Sequence, residues 1–429
     1  MSVFLFGLSI LRLLLLTLAI LFYNSQLLYP FLLHLLANYS DPIATHNLVY
    51  PDQTVAQIEE WLQEQRSIIT FNFVGPTKIK DEHLVLRARA NNGVRQAFGI
   101  ENSLTTTSPE AHRAFLNLAS SHVNKRTRDW TKLYCAAKAF LEGEIATALD
   151  TGKPIQISEC IQCACLTVVL FDNFAVDPAA LPRQSLVIIA SEINKQWLMS
   201  KSKAPGVTIK KSSLLDETIY SLHLIPYKSI HALILPEYVL SVIMPQYETL
   251  WRVVLLAFVT AYHRQPSAAL AKRVENVPAC LGKPDKEKEA LKVGKESLRL
   301  YPSNKRIYRC TSSESSATSM IKADVETCHR SRLIWGNDAL QFRPERFDNL
   351  TELQKEGYLP YSLRPHRCPA FSGFGDRMVT MLVVVLGRTL GPEVGKMRFG
   401  GGVLDADGEM PLPTGRDEVE EWSLELARV

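Results

Sequence analysis

Apolar positions recur at helical spacing over most of this chain. Between Gln53 and Arg66, Val55, Ile58, Trp61 and Leu62 share one face, and Thr54 stands where an N-cap belongs, so a helix is expected. Ser67–Val74 (SIITFNFV) alternates and is rich in β-branched residues, which predicts a strand. Ser108-Pro109-Glu110 opens a helix running to about Val123, with proline at its first position. Further helical patterns cover Thr131–Ala148, Ile157–Phe174, Arg183–Met199, Val239–His263 (interrupted at Pro245), Glu287–Leu300 and Phe371–Leu390. Short strand-like pieces fall at Lys305–Arg309 and Glu420–Ala427. The pattern predicts a mainly α fold with a minor β component at both ends. No repeat of the solenoid type and no domain-separating linker is visible, so residues 37–429 read as one large domain.

The N-terminus has a different pattern. In Val3–Phe22 (VFLFGLSILRLLLLTLAILF), only Gly7, Ser9, Arg12 and Thr17 are not apolar, and twenty helical residues span about 30 Å, a bilayer core. A secretory signal wants a basic start, a short apolar core and a small-residue cleavage site, and this segment shows none of these. Arg12 costs roughly 2.5–3.5 kcal/mol at mid-span, which flanking Leu and Ile offset. Residues 1–36, including a second apolar stretch at Leu27–Leu36, are therefore expected to anchor the chain in a membrane. No other run of eighteen consecutive apolar residues occurs.

Composition narrows the function. With 21% charged and 46% hydrophobic residues the body is globular, and 48 basic against 44 acidic residues give a net charge of only +4. Without a basic stripe interleaved with aromatics, a nucleic-acid partner is not expected. Eight cysteines are too few for a disulfide scaffold. Cys160, Cys163 and Cys165 have metal-like spacing, but no matching Cys/His pair lies nearby and no charge separates Cys160 from Phe171, so they read as core residues. Gly294-Lys295 is followed by Glu296 rather than Ser or Thr, which excludes a phosphate loop, and Gly400-Gly401-Gly402 reads as a turn. A nicotinamide or flavin fold is not encoded.

Three pieces in the last third carry chemistry. In KESLRLYP, Glu296 and Arg299 are three residues apart, a spacing that pairs carboxylate and guanidinium on one helix face. In FRPERF, Arg346 can complete a Glu–Arg–Arg triad. In YLPYSLRPHRCPAFSGFG, Cys368 lies between a basic, proline-containing turn and a helix start. Arg364, His366, Arg367 and the helix amides there are expected to lower a thiol pKa and hold an anionic sulfur on iron.

That ordered trio resembles the cytochrome P-450 family of haem-thiolate monooxygenases, in particular membrane-anchored members of filamentous fungi. The resemblance extends through YETLWRVVL, IASEINKQWLMSK and the helix around His112-Arg113, and forward into PLPTGRDEVEEWSLEL. It implies a mainly helical domain with haem b on Cys368, and a triad of Glu296, Arg299 and Arg346. It also implies O2 and a small apolar organic substrate, within secondary metabolism, and electrons from a separate NADPH-dependent flavoprotein reductase. The location it implies is the endoplasmic reticulum membrane, with the body in the cytosol. Glu248 and Thr249 stand at the family's proton-relay positions, and Arg364, His366, Arg367 and Trp130 are its candidates for the haem carboxylates.

This chain departs from the family at several of those places. Tyr361 replaces Phe, Arg364 replaces Gly and His366 replaces a basic residue, while Pro245-Gln246-Tyr247 precedes the relay pair where glycines are usual. For Glu248 and Thr249 the competing reading is a cap opening a helix at Leu250, and for Trp130 a core aromatic. Two further functions stay open: a haem-thiolate isomerase, dehydratase or peroxide-using enzyme, and a haem-free membrane-bound interaction protein.

Overall fold

The computed structural model describes residues 54–74, 80–201, 209–222, 236–311, 319–400 and 411–427. The expected N-terminal anchor lies outside the described residues. Val55–Val429 forms one compact unit, mainly helical with two small sheets.

The first helix, α1 (Val55–Thr70), takes the first half of the segment expected to be a strand, and a 3-10 turn, Asn72–Val74, takes most of the rest. Ile58, Leu62, Gln65, Ile68 and Ile69 are all buried, so Ser67–Thr70 extends one helical stripe instead of alternating across a sheet. Phe71, with φ 65°, ends it. The apolar stripe packs on Ala323, Trp335 and Leu359 in a cluster separate from the main core. Next come α2 (Lys80–Ala90), α3 (Asn92–Phe98) and α4 (Pro109–Val123), where the Ser108 hydroxyl accepts from the Ala111 amide as the sequence anticipates.

Four long helices build the main core: α5 (Trp130–Thr151), α6 (Ile157–Phe174), α7 (Arg183–Lys201) and, after the shorter α8 (Ser213–Ser221), α9 (Pro236–Phe258). Helix α6 packs on α5, α7 and α9 and is buried on almost every side from Ile157 to Leu170. Each fully buried Leu, Ile or Val there contributes about 1.5–3 kcal/mol. This explains why Ile157–Phe174 and Pro236–Arg264 are apolar and long enough to cross a bilayer: 72% and 78% of their apolar eighteen-residue segments lie inside the protein. Pro245 does not interrupt α9; the helix continues through it and into a π-turn at Val259–Arg264.

Two helices then frame the site, α10 (Pro284–Leu300) and α11 (Phe374–Thr389). The strands are β1 (Ile155–Gln156), β2 (Arg306–Cys310), β3 (Met320–Asp324), β4 (Gly395–Arg398) and β5 (Ser423–Leu426). Strands β2 and β3 form an antiparallel hairpin with Arg306 opposite Asp324, and the other sheet runs β1-β5-β4. Sheet structure is therefore absent from the N-terminal part of the described chain.

Candidate functional site

Helices α10 and α11 pack close enough that Gly294 abuts the Asp376 carbonyl and the Thr380 side chain, and a side chain at 294 would have no room. Glu287, buried on α10, takes two bonds of 2.8 and 3.0 Å from the Nε of Arg377 on α11. Gly294-Lys295 is thus mid-helix packing.

The last turn of α10 carries Glu296 and Arg299, both fully buried. Arg299 donates to both Glu296 oxygens at 2.7 and 2.8 Å, and to the carbonyls of His329, Ala339 and Gln341 at 2.6, 2.7 and 3.3 Å. Arg346 lies 3.6 Å from Glu296 and bonds to the Trp335 and Asp338 carbonyls at 2.9 and 2.8 Å. The structure therefore brings the three triad residues together. Their charge-assisted bonds fasten α10 to the carbonyls of the loops that follow it.

One link leads from this triad to the cysteine loop. The Leu359 amide donates to His329 Nε2 at 2.8 Å, which leaves Nδ1 as the protonated nitrogen facing the Arg299 carbonyl at 3.1 Å. Burial and the nearby Arg299 push the His329 pKa down to about 3. A histidine held neutral in the fold, with an ordinary value of 6.5 when unfolded, contributes stability above pH 6.5 that is lost as pH falls. We expect the thermal midpoint to drop between pH 6.5 and 4.5 and to do so less steeply in His329→Asn, measured by circular dichroism melts. Equal slopes would refute the assignment.

Beyond Leu359 the chain loops to Cys368. The Cys368 amide bonds to the Tyr361 carbonyl at 2.9 Å, Ser362 takes φ 61°, and the Arg364–Pro365 peptide is cis. The left-handed residue is therefore Ser362, and position 364, where the resemblance expects glycine, is not left-handed. Cys368 caps a four-residue 3-10 turn, Pro369–Ser372, and α11 starts only at Phe374 after Gly373. The thiol is solvent-accessible yet enclosed by protein, and that enclosure pushes its pKa up against the Ala370 amide and Arg87, which favour the thiolate. The expectation that the loop itself lowers the thiol pKa is corrected by the orientation of its arginines. Arg364 and Arg367 are exposed and line an open cleft of about 710 Å³ with Thr70, Asn72, Leu116 and Ser120. Arg367 covers Phe371, 4.8 Å from the ring centre.

His366 sits beside two other histidines and near two arginines. Its ring lies 5.4 Å from His112, 5.4 Å from Phe71 and 6.3 Å from His83. Arg309 lies over the other ring neighbour, 4.4 Å from the Phe71 centroid. Arg87 bonds to Ser103 at 3.0 Å, and Ser103 in turn contacts His112 Nδ1 at 3.0 Å. Burial, then the charges of Arg87, Arg309 and the two histidines, pushes His366 down to about 2. Burial likewise lowers Arg309 to about 9 and Arg87 to about 10. Among the described residues, both His366 nitrogens and the Nε atoms of Arg87 and Arg309 are buried without a hydrogen-bond partner. Arg87 keeps its Ser103 bond and Arg309 donates to the Tyr308 and Ile69 carbonyls at 3.0 and 3.4 Å, so the unmet donors of the two guanidiniums are their Nε–H groups, of the kind that bind an anion.

Sequence reading found only His366 of this group. Arg87, His83 and His112 come from α2 and α4, and Arg309 from β2. Nothing in their local sequence separates them from solvated charges.

The remaining candidates lie in other surroundings. Trp130 is a core aromatic, 6.2 Å from Phe374, and packs on Gly282. Glu248, 4% exposed, is held by Arg416, which also bonds to Asn194 at 3.1 Å. The Thr249 hydroxyl donates to the Pro245 carbonyl at 2.7 Å, one turn back. Both residues are within α9, so neither caps a helix at Leu250. Cys160, Cys163 and Cys165 are fully buried with raised thiol pKa values, and no metal-holding group of His, Cys, Asp or Glu occurs among the described residues.

No family model matches the chain. Curated proteins do match it. The Caenorhabditis elegans cytochrome P-450 CYP13A1 is 39% identical over 87 residues, 18% of this chain and 17% of that protein. This chain is similar to the cytochrome P-450s. Among fungal P-450s, the Emericella nidulans monooxygenase apdE is 34% identical over 88 residues, 19% of this chain and 17% of its own length. The Aspergillus niger benzoate 4-monooxygenase bphA is 52% identical over 44 residues, 10% of this chain and 8% of its own length. The matches thus span less than a fifth of each relative. A solved structure of cytochrome P-450 SP alpha in complex with (R)-ibuprophen aligns with 78% of this chain and 84% of its own, at 15% identity and a TM-score of 0.49.

Proposed function

We propose that this chain is a membrane-anchored haem-thiolate monooxygenase acting on a small apolar organic substrate of secondary metabolism. The observation that carries the reading is the pairing of the exposed Cys368 with the buried guanidiniums of Arg87 and Arg309, whose Nε donors are unmet. The donor set fits haem b. Cys368 would hold the iron through sulfur, and Arg87, Arg309, His83, His112 and His366 would hold the two carboxylates. The P-450 names of its relatives support the same group.

A haem bound there would supply O2 activation, a chemistry in which one oxygen atom enters the substrate and the other leaves as water, with two protons from solvent and two electrons from a separate NADPH-dependent flavoprotein reductase. The chain's own residues bind and orient. The triad and His329 fix the start of the loop, the Ala370 amide favours the thiolate, and the buried guanidiniums would neutralise carboxylates in a low-dielectric setting.

A test uses haem retention. Removing one charged donor from a carboxylate costs about 1.5–3 kcal/mol, so Arg309→Gln or Arg87→Gln should speed haem transfer to apomyoglobin roughly tenfold or more. Arg367→Gln, on the outer cleft, should change it little. Equal effects would remove the anion-site assignment.

A second haem reading is favoured by one observation. Glu248 is committed to Arg416 and Thr249 to its own helix, so neither is free as drawn for a proton relay. An isomerase, dehydratase or peroxide-using enzyme does without that relay. Substrate turnover that needs neither O2 nor reductase would select it, and strict dependence on both would exclude it.

The anchor belongs to the same proposal, with residues 1–36 in the endoplasmic reticulum membrane and the body cytosolic. Deleting residues 1–36 should move the protein from the carbonate-resistant pellet to the soluble fraction. Persistent pelleting would count against an anchor confined to that segment.

A further inference from the structure

The replacement of Phe by Tyr at position 361 adds a hydroxyl, and that hydroxyl is engaged. It donates to Asp376 Oδ1 at 2.7 Å, while the carbonyl of the same residue accepts from the Cys368 amide at 2.9 Å. One residue therefore ties the cysteine to the first turn of α11 by both of its polar ends. Two neighbours make the arrangement specific. Gly375 clears the path: a Cβ there would overlap the Tyr361 hydroxyl and ring edge. Arg377, beside Asp376, is committed to Glu287 on α10, so Tyr361 supplies the hydrogen-bond donor that reaches Asp376 Oδ1. Asp376 is 8% exposed, and a carboxylate that buried keeps its place only with such a partner.

We propose that Tyr361 and Asp376 form a clasp that positions Cys368, the phenol holding the loop on α11 while the Tyr361 backbone holds the cysteine amide. Tyr361 is a positioning residue in this assignment, since it acts on the sulfur only through the loop. For the haem-loaded protein the inference rests on the proposed function, but the clasp itself is a property of the apo chain.

The experiment is thiol exchange on the full-length apo protein in a Cys135→Ser background, which leaves Cys368 as the exposed thiol among the described cysteines. The probe is a chromogenic aromatic disulfide, used well below each variant's thermal midpoint. Tyr361→Phe keeps the ring and removes the hydrogen bond, so Cys368 should react about tenfold faster or more, the shift expected from one lost bond to a carboxylate. Asp376→Val should raise the rate equally, and the double variant no further, because both remove the same bond. Asp376→Asn, which still offers an acceptor oxygen, should stay near the parent rate.

An unchanged rate in Tyr361→Phe, or single effects that multiply in the double variant, overturns the clasp. Should Tyr361→Phe not fold, the Asp376→Val and Asp376→Asn comparison decides alone, and equal rates in those two overturn it. In haem-loaded Tyr361→Phe a smaller share of the carbon-monoxide complex should carry the thiolate-type band. A chain that takes up no haem would refute the proposed function and leave the thiol result standing.

Discussion

Cys368→Ala abolishes stable haem incorporation, as an expected result, while Cys163→Ala leaves it unchanged. The argument is comparative across eight cysteines. Cys160, Cys163, Cys165, Cys280, Cys310 and Cys328 are buried, and burial raises every one of their thiol pKa values. The Cys368 pKa is also raised by its surroundings, so the difference lies in access: the six are shut inside the protein, whereas Cys368 is exposed. Cys135 is exposed on α5, in mid-helix and not in a loop before a helix start. Cys368 combines exposure with a backbone amide and the buried Arg87, both of which favour its thiolate. Haem content by alkaline pyridine spectra checks this. Retention of one haem per chain in Cys368→Ala would put the iron on another ligand.

The second large effect is on stability. Glu296→Ala leaves the fully buried Arg299 without its counter-charge, and breaking a buried pair by removing one partner costs about 3–5 kcal/mol. Against a total of about 5–15 kcal/mol, that is enough to lower the unfolding midpoint by several degrees or prevent accumulation of folded protein. Lys138→Ala removes an exposed i,i+4 partner of Glu142 and should stay within ~0.5 kcal/mol. Urea denaturation followed by tryptophan fluorescence separates the two. A Glu296→Ala curve coincident with the parent would mean that the Arg299 carbonyl bonds suffice without the carboxylate.

Local patterns were legible in the sequence. Helix α6 begins and ends where its apolar run does, and Ser108 caps α4 as its position before Pro109 requires. Glu296 and Arg299 pair because three residues on a helix face each other. Failures came where tertiary packing overrides local preference. Ser67–Thr70 looks like a strand through its β-branching, yet Ile68 and Ile69 extend the helical stripe that Trp335 and Leu359 cover. Arg364 and Arg367 are basic neighbours of Cys368 in sequence, but the loop turns them outward, and the buried arginines of this region arrive from α2 and β2. Only the fold brings Arg87 and Arg309 within reach of His366. The Glu248–Arg416 pair joins α9 to the tail over 168 residues, a distance at which no spacing rule operates.

The Tyr361 substitution is a different kind of case. By sequence it is a small change within an aromatic position. Its consequence depends on Asp376, fifteen residues on, and on the missing side chain of Gly375.

The central claim is that this chain binds haem through the sulfur of Cys368. The most direct measurement is the reduced carbon-monoxide difference spectrum of the purified, haem-supplemented full chain. A strongly red-shifted Soret band, the signature of thiolate ligation, is the predicted result, and an absent band, or one at the position of histidine-ligated haem, would contradict it.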